Sequence, residues 1–312
     1  ASGSSVIDSC TSEGNVSITF LASAGYAQVG GIAGTAYAKI ASAHNATISN
    51  CKNNAQITLG DGVDNSDMEV FAGGIAAKAG KIKSCINTGA ITLNTTDVCI
   101  VNAAGIVADE TALLNIEVCT NYGYVDAKAA FQANAGGIAA NVGKLSQSIV
   151  SRCANFGNVN AEIANIDMDE ANNIDYPNIF AVSGGIVGSQ HQFTHLANVA
   201  NYASISASSP AGVEYFENRS FAAGISGKAY SKISNCFDKH SGTITAYYTG
   251  PVYATLNDGG KLELSGTVRN AYYVADEQYN FVNASGDEAD VPVIIPEQKL
   301  SETASYENFN FE

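Results

Sequence analysis

Residues 48–59 read ISNCKNNAQITL, and the same pattern returns as IKSCINTGAITL at 82–93, IEVCTNYGYVDA at 116–127 and VSRCANFGNVNA at 150–161. Cys51, Cys85, Cys119 and Cys153 are therefore 34 residues apart each time, and each follows a β-branched residue by three: Ile48, Ile82, Ile116 and Val150. Ile7 with Cys10 and Ile233 with Cys236 extend the series, and Leu196 with Val199 fills its gap, which makes seven copies. A second motif alternates with the first, as GGIAG at Gly30, GGIAA at Gly73, AGIVA at Ala104, GGIAA at Gly136, GGIVG at Gly184 and AGISG at Ala223. A fixed period of this length marks units that stack. Helices are disfavoured, because the apolar residues alternate with period two and each glycine would cost a helix interior about 1 kcal/mol.

Each unit thus predicts three short strands, at the Gly-Gly-Ile, Ile-x-x-Cys and Gly-x-Ile-x-Ala segments, with Asn or Gly supplying positive φ in the turns. One unit cannot bury its own apolar face, so each strand must pair with its counterpart in the next unit. The expected fold class is all-β, a parallel β-helix of about seven or eight coils, roughly 35 Å long at the usual strand spacing. The repeat domain spans residues 1–275. Beyond it the period is lost, and residues 276–312 are expected to form a short cap over strand edges that would otherwise stay unpaired.

Six of the seven cysteines fall at one repeat position. Side chains stacked in register point the same way, which is poor geometry for a disulfide, so a ladder of free buried thiols is expected, with Val199 as an isosteric member. Cys99 stands outside the register. Asn53, Asn87, Asn121, Asn155 and Asn201 lie two residues after the Cys position. A buried column of amides can satisfy itself by bonding to its own copies and to turn backbone.

The chain of 312 residues carries 15 Lys and Arg against 30 Asp and Glu, for a net charge of −15. Such a balance repels nucleic acid and anionic membrane. No run approaches the roughly 20 apolar residues of a membrane helix, so no membrane insertion by this segment is expected. The opening ASGSSVIDSC lacks the basic and apolar parts of a signal peptide. Beginning in mid-coil at Ile7 and ending just after Phe311 fits a portion of a longer chain with flanking domains.

Catalytic motifs are weak. HQFTH, His191 to His195, has Gln192 where a zinc protease needs the glutamate that activates water, and it falls in a turn. The stretches from Gly74 to Lys81 and from Gly137 to Lys144 are one residue too long for a phosphate-binding loop, and no G-x-S-x-G elbow accompanies the four histidines. Two acidic loops after the third strand, one with Asp61, Asp64, Asp67 and Glu69 and one with Asp167, Asp169, Glu170 and Asp175, supply the candidate carboxylates for glycan cleavage but lack the spacing of a calcium loop and read first as solvated loops. No cofactor is expected, with calcium at these loops the one candidate. Insertions at 161–181 and 207–221 fall at equivalent places, and such a ridge is often a binding face. Tyr122, Phe156 and Tyr202 share one turn position in consecutive coils and should form an aromatic column about 10 Å long, able to hold sugar rings by stacking.

The alternation of G-[IL]-[VA]-[GA] with I-x-x-C-x-N-x-G-x-[IV], over roughly residues 5 to 275, resembles the GLUG-type repeats of bacterial surface and secreted proteins. The resemblance implies a right-handed parallel β-helix, sometimes beside IgA-specific peptidases, with VRNAYYV at 268–274 similar to a degenerate last coil and KLSETASYENFNFE similar to a closing helix and strand. It also implies an extracellular or cell-surface bacterial location. The expected function is a non-enzymatic, adhesin-like module that binds host or dietary glycan or protein through Tyr122, Phe156 and Tyr202. Alternatives are a polysaccharide-cleaving lyase or glycoside hydrolase on the same scaffold, and a purely structural spacer.

Overall fold

A computed structural model describes residues 5–19, 24–36, 46–59, 67–95, 100–143, 147–164, 179–210, 219–254, 268–274 and 293–294. These residues form a parallel β-solenoid, with no helix among them. Like strands pair in register from coil to coil, so that Ile48, Ile82, Ile116, Val150, Leu196, Ile233 and Val268 make one continuous inward row. The unit is thus defined by its place in a stack rather than by any contact within itself.

One seven-stranded sheet is formed by the strands that lead into the Gly-Gly bend: Ala24–Gly30, Asp67–Gly73, Ile100–Ala104, Gln132–Gly136, Phe180–Gly184, Ser220–Ala223 and Tyr248–Gly250. A second seven-stranded sheet comes from the segments after the asparagine: Asn15–Ile18, Gln56–Leu59, Ile91–Asn94, Val125–Ala129, Val159–Ile163, Ile205–Ser208 and Ile244–Thr245. The strands between the Gly-Gly bend and the asparagine make the third sheet, which Val293–Ile294 joins at its end. Inward residues of the three sheets meet in two long apolar clusters.

Two expectations need correcting. The Gly-Gly-Ile segments are bends rather than strands, and the strand runs before them, where Met68, Val70 and Ala72 alternate inward. The expected positive φ is carried by only one of the repeated glycines, Gly14 at 91°, and elsewhere by Asn, as expected, together with Ser, Val and Arg. These other residues stand just before each cysteine position, at Ser9, Asn50, Ser84, Val118, Arg152, Asn198, Asn235 and Asn270, with φ between 49° and 55°. The second glycine of each bend is needed for space instead. A Cβ on Gly105 would lie 2.2 Å from Cγ of Asn121, and one on Gly137 would lie 2.3 Å from Cγ of Asn155.

The asparagine column is fully satisfied. Asn53 Nδ2 donates to Asn87 Oδ1 at 2.8 Å, Asn87 to Asn121 at 2.8 Å, Asn121 to Asn155 at 2.8 Å and Asn155 to Asn201 at 3.0 Å. The second hydrogen of each amide goes to the carbonyl two residues on, as from Asn87 to Gly89 at 2.9 Å. The thiols follow the expected ladder: Cys51, Cys85, Cys119, Cys153 and Cys236 are free and buried, and Val199 pairs in register with Cys236. Each of Cys51, Cys85, Cys119 and Cys153 donates to the carbonyl two residues back. Cys10, in the first coil, is exposed instead, because no described coil covers it, and Cys99 lies outside the described residues.

Val293–Ile294 adds a parallel strand to Tyr272–Tyr273 at the end of the stack. The rest of the expected cap, including the closing helix at residues 299–312, lies outside the described residues.

Candidate functional site

The corner after the asparagine column turns every second side chain outward. Along one coil these are Val118, Thr120, Tyr122, Tyr124 and Asp126, and Val118, Tyr122 and Tyr124 are all exposed. Ile86 in the coil before and Phe156 in the coil after extend them into an exposed apolar patch. Val118 holds a left-handed φ of 55°, a conformation that its branched Cβ disfavours. Backbone strain and exposed apolar surface thus coincide in one coil, a combination that recurs at functional sites.

The expected aromatic column is present. Tyr122 and Phe156 have ring centroids 5.0 Å apart at 12°, and Phe156 and Tyr202 are 4.8 Å apart at 6°. Tyr202 then meets Phe237 of the next coil at 6.0 Å and 58°. Parallel stacking has a consequence that the sequence reading lacked: both faces of Phe156 are covered by its neighbours. Tyr202 is half-buried, so the less covered face belongs to Tyr122, which is 53% exposed and has Thr88 rather than a ring at the same position of the coil before. That face looks along the column over Thr88 and Asn54, where Thr88 Oγ1 donates to Asn54 Oδ1 at 2.6 Å and Asn54 Nδ2 donates to Glu13 Oε1 at 2.6 Å. An apolar ring face above a ledge of hydroxyl, amide and carboxylate is chemically suited to a sugar ring.

Beside the column runs a polar row. Asp126 accepts from Asn94 at 2.9 Å and from Asn160 at 2.8 Å, and Asn160 accepts from Ser206 at 2.7 Å. Lys128 pairs with Glu162 at 2.7 Å just outside it. Burial and then the Asp126 charge push the Tyr124 hydroxyl up to about 12, so it remains a donor at neutral pH.

No family model, curated protein or solved structure matches the chain.

The other sequence candidates fall partly among the described residues. Asp61, Asp64, Asp167, Asp169, Glu170 and Asp175 lie outside the described residues, while Asp67 and Glu69 sit in a strand rather than the expected loop. Among the described residues no group of three or more His, Cys, Asp or Glu converges to hold a metal. Of the HQFTH stretch, Gln192 and Phe193 form a turn and Thr194 and His195 open a strand, where His195 Nε2 lies 2.8 Å from Ser234 Oγ. No helix among the described residues is long and apolar enough to cross a membrane.

A second feature escaped the sequence reading. The strands on either side of each Gly-Gly bend turn their outward side chains toward one another across a re-entrant groove. In the middle coils it is filled by amides and hydroxyls bonded together: Asn134 Nδ2 donates to Asn102 Oδ1 at 3.1 Å, Asn141 donates to Asn102, and Ser189 donates to Asn134 at 3.1 Å. Toward its two ends it holds a lysine over an aromatic ring. Lys78 sits over Phe71 at 4.1 Å, and Lys228 over Phe180 at 3.6 Å and Phe221 at 4.5 Å. The signal was in the text, since FAGGIAAK at 71–78 and FAAGISGK at 221–228 place aromatic and lysine identically.

Proposed function

We propose that this chain is a GLUG-type, non-catalytic module of a bacterial secreted or cell-surface protein that binds carbohydrate through the corner carrying Tyr122, Phe156 and Tyr202. The observation that carries the reading is the exposure of Tyr122, at the end of the ring stack and beside the Thr88–Asn54 ledge, in an acidic chain with net charge −15. Within the column the three rings have different roles. Tyr122 offers the face, Phe156 holds Tyr122 in place by stacking, and Tyr202 anchors the stack against Phe237.

The test is a glycan array probed with the wild-type chain and with single alanine variants. Tyr122→Ala is expected to lose at least about tenfold in affinity for whichever glycans bind, in line with removal of one central aromatic contact. Tyr202→Ala should lose less and should mainly lower thermal stability. Undiminished glycan binding by Tyr122→Ala would remove this corner as the site.

A further inference from the structure

Lys78 and Lys228 occupy the same repeat position at opposite ends of the groove, yet their surroundings differ in one respect. The Lys78 ammonium is neutralised by Asp109 at 3.0 Å. Lys228 has no carboxylate partner among the described residues. Its charged neighbour is another cation, Arg219, at the start of the same coil. Burial first, and the Arg219 charge second, hold the Lys228 amine down at about 7. A largely buried ammonium whose charged neighbour is a cation, with no carboxylate partner among the described residues, is an arrangement that an anion would complete.

The walls specify which kind of anion. Phe180 and Phe221 flank the Lys228 ammonium, and Phe221 stacks on Tyr248 at 5.1 Å. In the same coil as Tyr248, Tyr247 is 60% exposed, and its backbone N–H donates to Ser220 Oγ at 3.0 Å, which ties it to the strand beside Arg219. Lys228, Phe180 and Arg219 are each partly accessible to solvent. Small residues keep the floor low: a Cβ on Gly227 would lie 2.6 Å from Val182 Cγ1. A small inorganic ion has no use for an exposed ring such as Tyr247 near the cations, whereas a sugar acid presents both a carboxylate and an apolar ring face.

We infer that Lys228, Arg219 and Phe180, backed by the buried Phe221 and bordered by the exposed ring of Tyr247, form a second binding site, on a different face from the Tyr122 corner, for a carboxylate-bearing sugar such as a uronic acid residue of an acidic glycan. Phe180 and Arg219 fall near the ends of the two insertions noted in the sequence, 161–181 and 207–221.

The test is calorimetric titration of the whole chain with trigalacturonate and with its neutral methyl ester. The acid is expected to bind and the ester to bind at least tenfold more weakly. Lys228→Met and Arg219→Met should each weaken the acid by at least tenfold, while Lys228→Arg, Lys78→Met and Tyr122→Ala keep it within a few-fold. Lys228→Met removes a desolvated charge and leaves its methylenes on the rings, so its thermal midpoint should match or exceed that of the wild type. No heat with the acid, equal affinity for acid and ester, or unchanged binding by Lys228→Met would overturn the site. Displacement of trigalacturonate by inorganic sulfate at equal concentration would overturn the recognition of the sugar ring. Because Tyr122→Ala tests the other corner alone, failure here and failure of the proposed function are separate results.

Discussion

At Gly105 the Asn121 amide lies where a side chain would begin, with Cγ 2.2 Å and Oδ1 2.4 Å from the position of a Cβ. Glycine and asparagine in this repeat are therefore one device, although they stand in different motifs. The last coil shows the coupling from the other side: Pro251 takes the place of the second glycine, and Tyr273, which pairs in register with Asp238, takes the place of the asparagine. Gly105→Ala is expected to destabilise by about 1–3 kcal/mol through overpacking. Asn121→Ser leaves the Asn87 donor and the Asn155 acceptor short of partners, at about 1–3 kcal/mol for each buried group left unmade. In the double variant the added methyl meets a smaller neighbour, so the combined loss should fall below the sum of the two single losses. Urea denaturation of the three variants measures this, and strict additivity would speak against the coupling. Both residue types were legible as a repeat. Their mutual contact was not, because it joins positions separated by a strand and a bend, and a lone sequence shows spacing without showing which positions face each other.

At the scale of the element, the asparagine column ends on Asp238, which accepts from Asn201 at 2.9 Å and holds His240 Nδ1 at 2.7 Å on its other oxygen. Burial raises the Asp238 carboxyl, with His240 and Asn201 pulling the other way, and the bond to Asp238 raises His240 above its ordinary 6.5. Both groups therefore bind protons more tightly folded than unfolded. The stability they contribute is present at low pH and is lost as pH rises, for His240 through the range just above 6.5. Wild-type protein should lose stability between about pH 6 and pH 8, where a raised histidine gives up its proton. Asp238→Asn, which needs no charged partner, should lose less over the same range. Denaturant midpoints at the two pH values decide it, and equal slopes for both proteins would contradict the assignment. The strands themselves divide in a similar way. Ile-x-x-Cys and Gly-x-Ile-x-Ala announced two of the sheets, but the sheet before the Gly-Gly bend was missed. Its outward positions, Phe71, Asn102, Asn134, Val182 and Phe221, are buried in the groove, and they carry no common residue type to reveal a register.

At the scale of the molecule, a stack of paired coils presents backbone donors and acceptors wherever it stops. Val293–Ile294 covers part of one such edge at Tyr272–Tyr273. Deleting residues 276–312 uncovers that edge and is expected to cause self-association, read by light scattering after size-exclusion chromatography. A truncated chain that stays monomeric with an unchanged melting temperature would refute the covering role. The solenoid as a whole was readable because each coil restates the same inward pattern. The Lys228 site was not, because it depends on the absence of a carboxylate from a position where Lys78 has one, and on side chains from two adjacent coils.

The amide column also gives the interior an electrical sense. Every Asn from Asn53 to Asn201 passes its hydrogen in the same direction, toward the later coil, so the small moments of the individual amides point the same way and add along the axis. A carboxylate can only receive, and it stands where the row of donors terminates, much as an acid caps the positive end of a helix. Order along the solenoid is therefore written into its polarity. A coil bearing Asp in the amide position belongs at the finish of such a row, and shuffling it to the middle would cut the row in two.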